Sequence, residues 1–303
     1  MMRPLPTLRQ LRYLTALAEY RHFGRAAEAC LATQSTLSAG LQELESLLGV
    51  TLVERTKRKV MLTPLGEEVV ARARVVLQGA EDIAELAHAS RAPLSGTVRL
   101  GVIPTVAPFL LPQVLPALRD TYPELRLLLR EDQTARVLAR LAAGDLDVVL
   151  MALPWPADDV ETLALFDDPF VVACPPNHPL AGRETVAAAD LATVPLLLLE
   201  EGHCLREHAL AACRLPTAGR TAGLGDGLLA TSLATLVHMV ANGLGITLLP
   251  EMAVAAGILA GTSLVTRPLA EPAHRTIGLV WRRSSPRKQE FALLGKALAG
   301  RRG

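Results

Sequence analysis

The apolar positions of the first fifty residues recur every three or four places, which is the period of a helix. Leu8, Leu11, Leu14, Leu17 and Ala18 fall on one face over residues 5–20. A short alanine-rich helix is expected over 24–31, followed by a tight turn at "ATQ". Thr33 can then cap a helix running to about Leu48, with Leu37, Leu41, Leu44 and Leu48 as its inner stripe and Gly49 as its stop. Gln34, Ser35, Thr36 and Ser38 occupy its first turns on the polar side. Two short helices so spaced, the second opening on small polar residues, read as a helix-turn-helix; an ordinary helical hairpin is the plainer alternative. "VTLVERTKRKVMLT" then alternates with period two, breaks at a basic turn and alternates again. That pattern predicts a β-hairpin wing whose Arg55, Lys57 and Arg58 can reach phosphates or a minor groove.

The period returns to a helix over 65–90. Val69, Ala73, Val76, Ala80, Ile83 and Ala87 are spaced alternately four and three apart, a thin seam suited to pairing with a second copy. "SRAPLSGT" reads as a linker. Beyond it, strand and helix patterns alternate: "TVRLGVIP", "LRLLLRE", "DVVLMAL", "FVVACPP", "PLLLLEEG", "GITLLP" and "RTIGLVWR" as strands, with helices between several of them. The helix at 107–123 is expected to be interrupted by its prolines. Alternation of this kind predicts a parallel, doubly wound sheet with its ligand chemistry at the strand C-termini.

Charge divides the chain in the same place. Residues 1–60 carry nine Lys and Arg against five Glu, although the whole chain is only +1. A basic head on a mildly acidic body suits a nucleic-acid-binding module joined to something else. No uncharged apolar run reaches the roughly 18 residues of a membrane span, and the N-terminus lacks the layout of a signal peptide. Four cysteines in 303 residues are no secreted disulfide framework. A soluble, cytoplasmic protein with no membrane partner is expected.

The chemistry concentrates in "EEGHCLREHALAAC", residues 200–213. Cys204 and His208 stand at i and i+4 with His203 and Cys213 nearby, a set of metal-ligand types. The same residues could hold a nucleophile, a redox pair or two buried thiols. A cysteine hydrolase would need partners that nothing in the sequence points to, and no G-x-S-x-G, P-loop or HExxH is present. "GLGDG" at 223–227 lacks the preceding strand of a nucleotide fingerprint. If 203–213 is helical, Cys204 and Cys213 lie about 13 Å apart along the axis, on opposite faces. A disulfide needs Cα atoms within roughly 7 Å, so oxidation would force the helix to unravel. Cys204 is expected at a helix N-terminus, which lowers a thiol pKa. Cys30 and Cys174 are expected to be inert.

"RHFGRAAEACLATQSTLSAGLQELESLLGVTLVERTKRKVMLTPLGE" resembles the DNA-binding head of the LysR-type transcriptional regulators, with Ser35 where members usually carry proline. The likeness continues through the linker helix and over nearly the whole chain. "GVIPTVAPFLLPQVLP", "LEEGHCLREHALAAC", "ATSLATLVHMVANGLGITLLP" and "HRTIGLVWR" resemble the peroxide-sensing OxyR subfamily of that family. The resemblance implies a winged helix-turn-helix domain at 1–64, a linker and dimerisation helix with a hinge at 65–92, and an α/β, periplasmic-binding-protein-like effector domain at 93–303. The latter would comprise two Rossmann-like subdomains, about 93–166 plus 272–303 and about 167–271. It also implies that Cys204 reacts with peroxide and Cys213 resolves it as a disulfide. Thr105, Thr134, His203, Arg206 and Arg275 would surround the peroxide, with no cofactor or metal. The implied partners are a two-fold DNA operator, RNA polymerase, further copies in a homodimer or homotetramer, hydrogen peroxide, and a thiol reductant of glutaredoxin or thioredoxin type. A regulator, not an enzyme, is expected. The alternatives are a like regulator taking a small organic effector or metal ion in its cleft, and a thiol peroxidase with a DNA-binding head.

Overall fold

The computed structural model describes residues 5–55, 60–89, 94–212 and 230–300. The chain divides into two compact units, Met1–Arg91 and Ala92–Gly303.

In the first unit, helix α1 (Leu8–Tyr20) opens on a reciprocal cap between Thr7 and Gln10 and buries Leu11, Tyr13, Leu14 and Leu17. Helix α2 (Phe23–Ala29) and helix α3 (Gln34–Leu48) follow. Thr33 caps α3 as the sequence predicts, its hydroxyl accepting from the Thr36 amide at 3.2 Å. The helix stops at Gly49, whose φ of 69° is left-handed and costs a residue without a Cβ little. Leu37, Leu41 and Leu44 are buried against Leu14, Leu17, Leu52 and Val70. Strands β1 (Val53–Arg55) and β2 (Val60–Leu62) pair antiparallel as the two sides of the expected wing. Its tip, with Lys57 and Arg58, and the Arg55 side chain lie outside the described residues. Helix α4 (Pro64–Ala89) is 26 residues long. On its seam Ala73 is buried, while Val76 is 51% and Ile83 73% exposed within the single chain. The Ala87 side chain lies outside the described residues.

The second unit begins with strand β3 (Gly96–Val102), helix α5 (Ala107–Thr121), strand β4 (Leu125–Glu131), helix α6 (Thr134–Ala142) and strand β5 (Val148–Leu153). Here β3 is parallel to both β4 and β5. Contrary to expectation α5 is unbroken: Pro112 and Pro116, one turn apart, both face solvent while Leu110, Leu111, Val114 and Leu118 turn inward. The 15-residue strand β6 (Val160–Cys174) comes next, then helix α7 (Ala188–Leu191), the short strand β7 (Leu196–Leu197) and helix α8 (Cys204–Ala212). Helix α9 (Leu233–Ala241), strand β8 (Ile246–Pro250), helix α10 (Glu251–Ala255), strand β9 (Val265–Pro268), strand β10 (His274–Arg282) and helix α11 (Lys288–Ala299) complete it.

The strand order is β4-β3-β5-β10-β6-β8-β7, with β9 also pairing with β6. The sheet is mixed, which corrects the expected parallel one: β10 runs antiparallel to β5 and β6, and β6 antiparallel to β8 and β9. The alternation of strand and helix encodes only local crossovers such as β3–α5–β4. The insertion of β10 between β5 and β6 depends on pairing across more than a hundred residues, which leaves no local mark. Two apolar cores sit on this sheet. One gathers Val98, Leu100, Leu150, Ile277 and Phe291; the other gathers Phe170, Val172, Leu196, Val237 and Leu248. Strand β6 runs through both.

Candidate functional site

Cys204 is the first residue of α8 and is 1% exposed. The chain reaches it from β7 through a sharp turn at Gly202, where φ is 96° and an added Cβ would press on the Gln133 side chain. The helix straddles both cores: Cys204 packs into the first, Leu205 and Ala209 into the second.

The start of α6 supplies Thr134, buried beside the thiol, with no hydrogen-bond partner for its Oγ1. Gln133, one residue earlier, donates to Glu200 Oε1 at 2.9 Å and stands 3.4 Å from His203 Nε2. His203 is itself buried, and burial lowers its pKa against the pull of Glu200 and Glu207. Strand β10 supplies Arg275, a fully buried guanidinium. Its Nη1 donates to Thr105 Oγ1 at 2.8 Å and its Nη2 to the Thr105 carbonyl at 2.9 Å. Its Nε and Nη2 also donate to Asp168 Oδ2 at 3.0 and 2.9 Å. Asp168 is the directly opposite residue on β6, and its Oδ1 accepts from the Met252 amide at 3.0 Å. The pair is wholly buried on both sides. Its charges are compensated and its oxygens satisfied, as burial requires.

Burial raises the Cys204 pKa above the ordinary thiol value. Thr134, Arg275 and the Ala152 backbone pull it down, and Glu207 pushes it up. This corrects the expectation of a lowered pKa. A helix N-terminus contributes on the order of 1–2 kcal/mol at best, and removal from water outweighs it here. At neutral pH the sulfur carries its proton.

The structure therefore joins Thr105 to Arg275 by hydrogen bonds, while Thr134 and Arg275 act on Cys204 by favouring its charged form. His203 lies one residue before the thiol but turns its Nε2 to Gln133 and Glu200. Arg206 is engaged elsewhere: its Nη1 donates to the Leu199 carbonyl at 3.3 Å. Cys213 and the glycines at 219, 223, 225 and 227 lie outside the described residues. Asp168, Gln133 and Glu200 were not legible as site residues. The acidic pair preceding "FVVACPP" is a faint signal for Asp168, but only the β6–β10 register assigns it. Among the described residues no three His, Cys, Asp or Glu side chains gather to hold a metal ion. Cys174 is buried and Cys30 half-buried, each with a pKa raised by burial.

On the first unit, Gln34, Ser35 and Thr36 are exposed on the opening turn of α3 and Ser38 is half-buried. The Thr33 hydroxyl lies 2.9 Å from Ser35 Oγ and 2.8 Å from Thr36 Oγ1, so this turn is knitted by hydroxyls. No helix of the described residues is long and apolar enough to cross a membrane.

Residues 8–67 match the bacterial regulatory helix-turn-helix protein family, lysR family, and residues 91–301 match the LysR substrate binding domain. The chain is 47% identical over 294 residues to a probable hydrogen peroxide-inducible genes activator of Streptomyces viridosporus, covering 97% of this chain and 93% of that one. A full-length OxyR cysteine-to-aspartate variant from Pseudomonas aeruginosa superposes with a TM-score of 0.79 at 39% identity, covering 97% of this chain and 98% of that one. A Corynebacterium glutamicum OxyR cysteine-to-serine variant, bound to hydrogen peroxide, does so with a TM-score of 0.67 at 37% identity, covering 99% and 93%. The sealed thiol at the head of α8, the winged head and these likenesses agree: the chain belongs to the LysR family of bacterial helix-turn-helix regulators, in its OxyR group.

Proposed function

We propose that the protein is a hydrogen-peroxide-sensing transcriptional regulator switched at Cys204. The observation that carries this is the buried Cys204 thiol, on which the Thr134 hydroxyl and the Arg275 guanidinium both act to favour the charged form. The sulfur attacks one peroxide oxygen, the O–O bond breaks, and the other oxygen leaves as water, giving a sulfenic acid on Cys204. Thr105, Thr134, His203, Arg206 and Arg275 are the residues to which peroxide binding is assigned, Arg206 requiring a change of partner. Cys213 then displaces water from the sulfenic acid to form the disulfide, and a thiol reductant of glutaredoxin or thioredoxin type restores both thiols. With α8 helical to Ala212, the two sulfurs cannot meet until the helix end unwinds. The sequence relatives named as peroxide-inducible activators and the peroxide-bound neighbour support this reading.

Intact-mass measurement after stoichiometric peroxide tests it. The protein should lose two protons shared between Cys204 and Cys213. Cys213→Ala should instead gain one oxygen, then a second as peroxide is raised, because nothing intercepts the sulfenic acid. An unchanged mass would overturn peroxide sensing, and rapid multiple turnover with a reductant would make the protein a peroxidase.

The output is control of antioxidant genes in the cytoplasm, through a two-fold DNA site and RNA polymerase. Gln34, Ser35, Thr36 and Ser38 face the bases, and Arg55, Lys57 and Arg58 face the backbone. The exposed Val76 and Ile83 of α4 pair with a second copy, and two dimers make a tetramer. Replacing Arg55 and Lys57 with Ala should weaken binding to all DNA sequences alike. It should also flatten the slope of log affinity against log salt by about 2, roughly one per lost phosphate contact. Titrations at several salt concentrations measure this; an unchanged slope would remove the wing from the interface.

A further inference from the structure

The thiol that reacts is buried with its pKa raised, and the groups seen to act on it, Thr134 and Arg275, cannot take its proton. A guanidinium has no lone pair to offer, a threonine hydroxyl is no base at neutral pH, and His203 directs Nε2 at Gln133 and Glu200. We propose that His208, one turn along α8, is the base: its Nδ1 accepts the Cys204 proton and returns it to the departing peroxide oxygen. This rests on the peroxide reading above and adds a catalytic residue to it.

Three observations on His208 carry the inference. Its Nε2 lies 3.0 Å from the carbonyl oxygen of Pro154, on the connection between β5 and β6. A carbonyl only accepts, so Nε2 carries the hydrogen and the neutral ring keeps its lone pair on Nδ1. That Nδ1 is buried and has no hydrogen-bond partner. Residues at i and i+4 of a helix lie on one face with Cβ atoms about 5–6 Å apart, so His208 shares a helix face with Cys204, although no hydrogen bond joins Nδ1 to the thiol in the resting protein.

The surrounding groups fit a base that gains a proton only briefly. Burial is the largest influence on His208 and lowers its pKa, so the ring is neutral at pH 7. The Pro154 carbonyl favours the charged ring, the Arg275 guanidinium of β10 opposes it, and the Glu207 carboxylate on its own helix favours it. Glu207 keeps its Oε2 buried and unpartnered, available to steady the imidazolium while it exists. The Arg275 guanidinium acts on both His208 and Cys204.

The step balances. The S–H proton moves to Nδ1 as the sulfur pair attacks the nearer peroxide oxygen, which keeps its own hydrogen. The O–O bond breaks and its electrons go to the farther oxygen, which takes the proton from Nδ1 and leaves as water. Sulfur is oxidised to the sulfenic acid, peroxide is reduced, and His208 ends as it began.

The test is His208→Gln, which keeps a donor for the Pro154 carbonyl and removes the titrating nitrogen. Stopped-flow oxidation of Cys204 in the full-length reduced protein should slow by about 100-fold at pH 7, the usual scale of a positioned acid–base group. The wild-type rate should also fall as pH drops below the ordinary histidine range and His208, whose pKa burial lowers, takes up a proton, and the variant should lose that limb. An unchanged rate, or a slower rate with the acid limb retained, overturns the proposal. A wild-type profile without an acid limb overturns it with no variant needed, should His208→Gln fold poorly. If wild-type Cys204 does not oxidise at all, the peroxide reading itself has failed, and the two outcomes are distinct.

Discussion

Cys204→Ser should abolish the response to peroxide completely while leaving the DNA affinity of the reduced protein where it was. Serine matches cysteine closely in shape, so the buried site beside Thr134 stays filled. Its hydroxyl, however, is not a nucleophile toward peroxide without strong activation, and it cannot be carried along the sulfenic acid ladder. Cys174 is buried in the other core and Cys30 belongs to the first unit, so neither can substitute. The residues proposed to bind DNA lie in the first compact unit, and the core of that unit contains no part of α8. Affinity for operator DNA with and without peroxide, paired with intact mass, measures both halves of the claim. A variant that still changes its affinity on oxidation would remove Cys204 from the switch.

The second large effect is on stability. Arg275→Ala leaves the carboxylate of Asp168 wholly buried with only the Met252 amide against it, and strips Thr105 of its donor. Breaking a buried pair by removing one partner costs on the order of 3–5 kcal/mol. In a unit of this size that lowers the unfolding temperature by roughly 6–20 °C, at about 2–4 °C per kcal/mol. Replacing both members, Arg275→Met with Asp168→Leu, removes the stranded charge and should recover much of the loss. Peroxide reactivity should not recover with it, because the guanidinium that favours the thiolate is still missing. Thermal unfolding of the three proteins, followed by their oxidation rates, separates the two roles. A drop of under about 3 °C in Arg275→Ala would mean that water reaches Asp168 and that the pair is not sealed.

The head was legible because its signals are local. Thr33, the leucine stripe of α3 and Gly49 each fix their element through neighbours within a few residues, and the structure has them in those roles except Leu48, which is exposed at the helix end. The motif around Cys204 was equally local. What escaped depends on contacts that span the chain. Asp168 meets Arg275 only because β10 pairs with β6 in one register, and the mixed sheet follows from the same insertion. The pKa of Cys204 was misjudged for a related reason. A helix N-terminus can be read from sequence, but the burial that overrides it comes from packing against β5 and α6. Likewise Pro112 and Pro116 suggested a break, and only their shared solvent face shows how α5 accommodates them.

The position of β10 also sets the order in which the protein can be made. The head closes on neighbours already present and can fold while the rest is still being translated. The sheet of the second unit cannot. The strand joining β5 to β6 is made long after both of them, and its Arg275 and Trp281 must find partners 107 and 120 residues earlier in the chain. Until then two long apolar strand edges stand open, the arrangement most exposed to wrong pairing and slowest to close. The newborn regulator thus has its DNA-binding half before its sensing half exists.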